Sequence, residues 1–204
     1  QGAVPPKDSR AAQPPPLTAG GLFLDLLEPL PPGYDKMKHF DYSAEEYELA
    51  THRFKSWFLD RAFELVRTQL DAGSYILDAS CGPGYEALRL SALAPAGEVI
   101  ALDLSQAMLK RAYRNARLER RRNMGFVQAD VHRLPDRFHR HFDLVFCCLS
   151  LHFYERPAQA LAQFRQALRP GGRLILIEPN RTAAQRRAAH VLNLALPQFQ
   201  GFYT

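Results

Sequence analysis

The stretch ILDASCGPGYEALRL, residues 76–90, decides the fold of this chain. Its first residues suit a buried strand, which runs into an acid, Asp78. A turn of small residues follows, from Ser80 to Gly84, and the next residues have helical spacing. A strand, a glycine-containing turn and a helix in this order are typical of the repeating unit of a parallel sheet.

Strands and helices keep alternating after this stretch. We predict strands at SYILDAS, EVIALDL, GFVQAD, FDLVFCCL and RLILIEP. We predict helices at YEALRLSAL, SQAMLKRAYRNARLE, RPAQALAQFRQAL (closed by Arg169-Pro-Gly-Gly172) and TAAQRRAAHVLNLAL. Apolar strands between amphipathic helices indicate an α/β fold with a mostly parallel sheet that helices cover on both faces. Right-handed crossovers then make the sheet doubly wound.

The chain divides into three predicted segments. Eight of its fifteen prolines fall in the first 32 residues, so residues 1–33 are predicted to be a proline-rich flexible arm. Within this arm, the segment GLFLDLLEPL is apolar enough to pack against another surface. Ser43-Ala-Glu-Glu46 is a capping box that opens an amphipathic helix within residues 34–72. Residues 73–204 are predicted to form the core.

Composition limits the classes to which the chain can belong. The 204 residues, 47% of them hydrophobic, suffice for one domain with a core. We find no run near the ~20 apolar residues of a membrane span and no signal peptide pattern, so we predict a cytoplasmic protein, with an organelle after loss of a targeting segment left open. Three cysteines without ligand spacing indicate buried, reduced thiols, and no metal site is predicted.

Carboxylates end three successive predicted strands, at Asp78, Asp103 and Asp130. Ligands of open parallel sheets bind at the carboxyl ends of the strands. Asp103 lies about 20 residues after the glycine turn, which is the spacing at which a carboxylate binds both hydroxyls of a ribose. Asp130 could accept a hydrogen bond from the amine of adenine. The sequence therefore predicts a site for a ligand that contains adenosine.

The same turn also fits the loose dinucleotide pattern G-x-G-x-x-A, from Gly82 to Ala87. Asp78, four residues before the first glycine, argues against a pyrophosphate because its charge would stand beside an anion. A ligand with a cationic ammonium suits this acid better. S-adenosylmethionine has an ammonium group and also a sulfonium.

The chain resembles a known family from Tyr75 to Pro179. ILDASCGPG resembles the first motif of class I S-adenosylmethionine-dependent methyltransferases, and VIALDLSQAMLKRA, FVQAD, FDLVFCCLSLHF and LRPGGRLILIEP resemble the later ones, in the expected order. The nearest group is the ubiquinone/menaquinone-biosynthesis-like small-molecule methyltransferases. The resemblance implies a Rossmann-like sheet with S-adenosylmethionine as the cofactor.

The resemblance also implies a set of cofactor contacts. These are Asp78, Gly82 and Gly84 at the methionine end with Ala79 beside them, Asp103 at the ribose, Leu104 and Met108 along the adenine, Asp130 and Val131 at its edge, and the backbone of Cys148 and Leu149 facing the methionine moiety. Ordinary packing is the alternative for Leu104 and Met108. Residues 34–72 would form a lid, with Tyr34, His39 and Tyr42 closing the substrate pocket or anchoring the arm.

Methyl transfer from a sulfonium is an in-line displacement, in which the enzyme aligns the nucleophile about 3 Å from the methyl and excludes water. A base is needed only where the nucleophile must lose a proton. His152 follows the fourth strand of the core and is the predicted catalytic base; a histidine that packs the loop is the alternative. His139 and His141 lack a third partner at metal-ligand spacing.

Two departures from the family pattern stand out. Ser80 replaces the usual glycine of the first motif. The family sheet also has two further strands in an antiparallel hairpin, for which this sequence leaves too few residues. We therefore expect the hairpin to be lacking, or the sheet edge to be completed by a homodimer or a partner chain.

The class of methyl acceptor is inferred mostly from motifs that the sequence lacks. Neither Asn/Asp-Pro-Pro-Tyr nor Pro-Cys follows the fourth strand, so a small, partly apolar or aromatic acceptor is predicted. A non-catalytic scaffold or partner subunit is the first alternative. An RNA methyltransferase that uses the basic run Arg111–Arg122 is the second, although a solvated helix face explains that run better. A nicotinamide-dependent oxidoreductase is the third.

Overall fold

The computed structural model describes residues 15–27, 59–60 and 63–178. Its strands and helices are β1 (Phe23–Asp25), β2 (Tyr75–Ala79), α1 (Tyr85–Leu93), β3 (Glu98–Asp103), α2 (Gln106–Leu118), β4 (Met124–Gln128), β5 (Phe142–Cys148), α3 (Pro157–Ala167) and β6 (Leu168–Ile177). Short 3-10 helices at Asp136–Phe138 and Leu151–Phe153 flank β5. Helical backbone is also described at 59–60 and 63–67.

The sheet has six described strands in the order β1-β4-β3-β2-β5-β6. Every described pair is parallel. The chain builds outward from β2 through β3 to β4, and then returns to add β5 and β6 on the other side. The direction of winding therefore reverses between β2 and β5, which is where open sheets of this kind bind ligands. The predicted doubly wound, mostly parallel sheet is confirmed.

The central strands are buried on both faces because their residues are apolar at successive positions. All five residues of β2 and all six of β3 are buried. Ile76 lies in the hydrophobic cluster on one face of the sheet, with Leu90 of α1 and Leu109 of α2. Leu77 lies in the cluster on the other face, with Phe164 of α3. Neighbouring strand residues point to opposite faces, so helices on each side complete two cores.

The N-terminal segment, for which we predicted a flexible arm, contributes a strand. Phe23–Asp25 pairs in parallel with β4 at the edge of the sheet. The ring of Phe23 lies over Gly125, where an added Cβ would be 2.3 Å from its Cε1 atom. The backbone N–H of Thr18 donates to Oε2 of buried Glu98 at 2.6 Å. A three-residue strand is too short to show a hydrophobic period, so the sequence did not reveal it.

The last described strand begins earlier than predicted. We expected Arg169-Pro-Gly-Gly172 to form a turn between the helix and the strand, but β6 begins at Leu168, directly after α3. The pairing of β6 with β5 shifts register between Phe142, which pairs with Leu168, and Leu144, which pairs with Arg173, and this shift accommodates the residues between Leu168 and Arg173. The residues after 178, including those that bear on the expected missing hairpin, lie outside the described part of the chain. In the part that is described, no helix is long and apolar enough to cross a membrane.

Candidate functional site

The predicted cofactor residues gather at the carboxyl ends of four neighbouring strands. The loops concerned follow β2, β3, β4 and β5, which are adjacent in the sheet. Because the strands are parallel, all four loops leave the sheet at the same edge. Tyr34, His39 and Tyr42, and most of the predicted lid, lie outside the described residues. Among the described residues, no group of three or more possible metal ligands exists.

Asp103, at the end of β3, is held by two backbone groups. The N–H of Gly82 donates to its Oδ2 at 2.8 Å, and the N–H of Ser105 donates to its Oδ1 at 2.9 Å. Ser105 is the N-cap of α2, and its hydroxyl accepts from the N–H of Met108. These two backbone donors fix the orientation of the Asp103 carboxylate. This geometry suits a ligand that offers two neighbouring hydroxyls.

The loop between β2 and α1 has unusual backbone geometry. Ser80, Gly82 and Gly84 have φ values of 60°, 54° and 85°. A Cβ on Gly84 would lie 2.7 Å from the Cβ of Ala112, so this glycine lets α1 begin close against α2. Among the residues that the structure describes, a Cβ on Gly82 would meet nothing within 4 Å. Open space therefore lies over Gly82, beside the fixed carboxylate of Asp103, and the residues present fit a nucleoside at this edge.

Buried acids surround the same loop. Asp78, Glu86 and Asp103 are 2%, 6% and 8% exposed. Burial, and then the charges of these acids, raise the pKa of the Cys81 thiol well above its usual range. Glu86 lies in the first turn of α1, where a dinucleotide would need the helix N-terminus for its phosphates. The loop therefore favours a cationic ligand over a pyrophosphate.

The sequence interpretation did not include Glu86. Glu86 lies two residues after Gly84, so it is an acid next to the glycine turn in the sequence, as Asp78 is. The sequence shows that acid but not its burial, and burial is what makes its charge act on the loop rather than on solvent.

Asp130 and Val131 lie in the loop after β4. Oδ1 of Asp130 accepts from the N–H of His132 at 2.8 Å and lies 2.6 Å from Nδ1 of that ring. Nε2 of His132 accepts from the N–H of Arg156, so the ring carries its proton on Nδ1. The side chain of Asp130 remains 41% exposed. One of its oxygens is thus anchored to the loop while the carboxylate still reaches solvent, and its predicted adenine contact stays a prediction.

The remaining side chains of the predicted cofactor set differ in burial. Ala79 is fully buried and belongs to a core cluster, and Met108 is 2% exposed. Leu104 is half-buried, and its carbonyl accepts from Nε2 of Gln128 at 2.9 Å. Cys148 is 7% exposed. For Ala79 and Met108, the burial agrees with ordinary packing, and ligand contact for this set stays a prediction.

His152 lies just after β5 in a short 3-10 helix and is 5% exposed. Its Nδ1 is 2.7 Å from Oε2 of Glu178, which follows β6. Oε1 of Glu178 accepts from the N–H groups of Ser150 and Leu151. A carboxylate on Nδ1 fixes the tautomer and orientation of an imidazole. Glu178 lies at the end of the predicted strand RLILIEP, but the sequence does not show that it pairs with His152. The role of His152 as a base stays a prediction.

The thiol of Cys147 gives a test of the interior beneath the site. Burial raises its pKa to about 11, with smaller contributions from neighbouring groups. In the unfolded chain this thiol has its usual pKa of about 8.5, so above that pH it ionises more readily in the unfolded state than in the folded state. The free energy of unfolding is therefore unaffected by the thiol below about pH 8.5 and falls as the pH rises towards 11.

We expect the free energy of unfolding to fall by up to about 3 kcal/mol more in the wild type than in Cys147→Ala between pH 8 and pH 11. Urea denaturation followed by circular dichroism at both pH values measures this difference. Most other buried groups titrate in both proteins, so the comparison reports the thiol together with its hydrogen-bonded neighbour Tyr154. Equal losses of stability in the two proteins would contradict the assignment.

Comparisons with known proteins agree with this geometry. Residues 76–172 match a family described as methyltransferase domain. An uncharacterized 37.1 kDa protein in transposon TN4556 of Streptomyces fradiae is 38% identical over 64% of this chain and 36% of its own length. The ubiquinone/menaquinone biosynthesis C-methyltransferase UbiE of Syntrophotalea carbinolica is 32% identical over 72% of this chain and 62% of its own length.

A solved structure described as a DhpI-SAM-HEP complex is similar in fold. It is 26% identical, with a TM-score of 0.56, over 80% of this chain and 72% of that one. The chain spans between about a third and two thirds of the length of the first curated relatives. Each of these relatives is therefore longer than the part of it that matches this chain.

Proposed function

We propose that this chain, whose residues 76–172 match the methyltransferase-domain family, is a class I S-adenosylmethionine-dependent methyltransferase that transfers the methyl group of S-adenosylmethionine to a small, partly apolar or aromatic acceptor. The observation that carries the proposal is the carboxylate of Asp103, fixed by the N–H groups of Gly82 and Ser105 beside the open space over Gly82. That arrangement is suited to bind a ribose next to a close backbone approach.

When bound, S-adenosylmethionine supplies a methyl group activated by its sulfonium charge. The residues of this chain would bind and orient it: Asp103 at the ribose hydroxyls, the backbone of Gly82 and Gly84 near the methionine end, and Asp130 at the edge of the adenine. Asp78 and Glu86 are buried near the loop and contribute negative charge, which favours a cationic ligand. Binding in a preorganised, water-poor site is the main contribution a protein makes to this displacement.

We propose that His152 acts where the acceptor must lose a proton. Glu178 holds Nδ1 of the ring, so Nε2 is the atom that would accept the proton. Glu178 also accepts from the backbone of Ser150 and Leu151, which fixes the loop that carries the histidine. An acceptor that attacks without losing a proton would leave His152 with a packing role only.

The acceptor class rests on two supports. Neither of the motifs typical of nucleobase or glutamine amino methylation and of cytosine methylation follows β5. One relative, 32% identical to this chain over 150 residues, is described as a ubiquinone/menaquinone biosynthesis C-methyltransferase. We propose that the acceptor is of comparable chemistry, a phenol, quinol or similar small molecule.

The proposed location is the cytoplasm, and the proposed partners are the small-molecule acceptor and a second chain at the sheet edge. All three cysteines are buried thiols outside any disulfide, which suits a reducing compartment. Leu176, in the edge strand β6, is 38% exposed, which supports coverage by further protein. RNA as the methyl acceptor has less support. The basic residues that would bind it lie in the second half of α2, up to about 20 Å along that helix from the edge of the sheet where the cofactor is proposed to bind.

A methyl-transfer assay tests the proposal. The purified chain is incubated with S-adenosylmethionine labelled on the methyl group and with a panel of phenols, quinols and amines, and with RNA. We expect label to enter at least one small acceptor and none to enter RNA. Transfer to RNA alone would contradict the proposed substrate class, and cofactor binding without transfer to any acceptor would favour the non-catalytic scaffold.

A further inference from the structure

A hydroxyl cluster, formed by the side chains of Ser80, Cys147, Ser150 and Tyr154, links the loop after β2 to the segment after β5. The Oγ of Ser80 lies 2.8 Å from the Oη of Tyr154. The Sγ of Cys147 lies 3.1 Å from the Oγ of Ser150 and 3.5 Å from the same Oη. The methyl-transfer chemistry proposed above uses none of these groups.

Ser80 has a conformation that its side chain disfavours. Its φ is 60°, in the left-handed region that a Cβ makes costly for residues other than glycine. The family motif has a glycine here, which adopts this conformation freely. A serine at the same point needs a compensating contact, and the hydroxyl of Tyr154 is the contact that the structure provides.

Tyr154 is held firmly enough to serve as an anchor. The residue is 6% exposed, and its ring makes edge contacts with His132 and Phe164, at centroid distances of 5.9 and 6.4 Å. Burial raises the pKa of Tyr154 well above its usual value of 10, so the phenol keeps its proton. A fixed hydroxyl holds its hydrogen bond with the Oγ of Ser80, in which either oxygen could be the donor, while it also lies 3.4 Å from the Oγ of Ser150, to which it donates.

The turn after Ser80 depends on the backbone conformation at that residue. The N–H of Cys81 donates to the carbonyl of Leu102 in β3, and the N–H of Gly84 donates to the carbonyl of Cys81. The N–H of Gly82 then reaches Asp103. A change of φ at Ser80 would shift the turn that makes these three hydrogen bonds, but Asp103 would keep its second donor, the N–H of Ser105, and so its position at the ribose.

We propose that Tyr154 is a positioning residue for the cofactor loop: its hydroxyl holds Ser80 in the left-handed conformation, and thereby aligns the turn from Cys81 to Gly84 with the methionine end of the cofactor. The inference rests on the proposed function. It also gives a reason why serine is tolerated where the family motif has glycine.

The experiment compares two ligands that share a nucleoside. S-adenosylhomocysteine carries the amino-acid end, whereas 5′-methylthioadenosine lacks it. We expect Tyr154→Phe to raise the Kd of S-adenosylhomocysteine about 3- to 10-fold, as the loss of one hydrogen bond does, and to leave that of 5′-methylthioadenosine within about twofold. Tyr113→Phe is the matched control. It removes the hydroxyl of a tyrosine in α2 that packs on Phe126, and it should change neither Kd.

A second pair of variants separates positioning from general stability. Ser80→Gly adopts the left-handed conformation without an anchor, so it should retain binding, and adding Tyr154→Phe to it should cost less than about twofold. Ser80→Ala keeps the Cβ and loses the hydroxyl, so it should reproduce the Tyr154→Phe effect even if the latter variant folds poorly.

The outcomes distinguish this inference from the function on which it rests. Equal weakening of both ligands by Tyr154→Phe, or an undiminished effect of that change in the Ser80→Gly background, would overturn the positioning role alone. Failure of the wild type to bind S-adenosylhomocysteine would instead overturn the proposed function, and the inference with it.

Discussion

Replacing Gly84 with alanine is expected to lower the free energy of unfolding by about 2–4 kcal/mol. The φ of this residue is 85°, and the new Cβ would lie 2.7 Å from the Cβ and 3.1 Å from the Cα of Ala112. The second contact is with backbone, which cannot move aside as a side chain can. Either α1 moves away from α2 or the turn distorts, and both weaken the core beneath the site. Urea denaturation of the wild type and the variant measures the loss.

Gly82→Ala is the matched control for this prediction. Gly82 also has a positive φ, 54°, but in the described part of the chain its new Cβ would meet nothing within 4 Å. We expect a loss of only about 1 kcal/mol in stability. The Cβ would, however, enter the space where the cofactor is proposed to bind, so S-adenosylmethionine should bind much more weakly. Equal destabilisation by the two changes, or undiminished binding by Gly82→Ala, would contradict the account of this turn.

Asp103→Ala should weaken S-adenosylmethionine binding by at least about 100-fold. The carboxylate is the proposed acceptor for two ribose hydroxyls, and each hydrogen bond to a charged group contributes about 1.5–3 kcal/mol. Calorimetric titration of the wild type and the variant with the cofactor measures the change. Glu119→Gln, which neutralises an exposed acid at the C-cap of α2, is the control and should bind as the wild type does.

The same change has a structural cost that the experiment must separate from the loss of binding. Asp103→Ala leaves the N–H groups of Gly82 and Ser105 without this acceptor, so a loss of about 1–3 kcal/mol in stability is expected as well. Circular dichroism at the temperature of the titration establishes that the variant is folded. Binding within threefold of the wild type by a folded variant would show that Asp103 does not hold the ribose.

The sequence predicted most reliably what lies close together in the chain. The strand, turn and helix around Asp78 and Gly84, and the acid at Asp103, follow one another within about 30 residues, and each leaves a local mark such as a glycine or an abrupt change of polarity. The parallel orientation of the central strands followed from the alternation of strands and helices. These features depend on backbone conformation and hydrophobic period, which sequence patterns carry directly.

Contacts across long sequence separations were not predictable. Ser80 meets Tyr154 across 74 positions, and His152 meets Glu178 across 26. Strand ends indicate only that such side chains reach the same edge of the sheet; which pairs bond depends on side-chain rotamers that packing sets. The strand at Phe23–Asp25 was missed because three residues are too few to show a hydrophobic period, and its partner strand, β4, lies about 100 positions away in the sequence.

The most direct test of the central claim is a calorimetric titration of the wild-type chain with S-adenosylmethionine, with NAD as the competing ligand. The fixed carboxylate at Asp103 and the buried acids around the glycine turn predict that one S-adenosylmethionine binds per chain, at about micromolar Kd, and that NAD gives no heat of binding. Binding of NAD, or no heat with S-adenosylmethionine at concentrations that saturate such a site, would contradict the account.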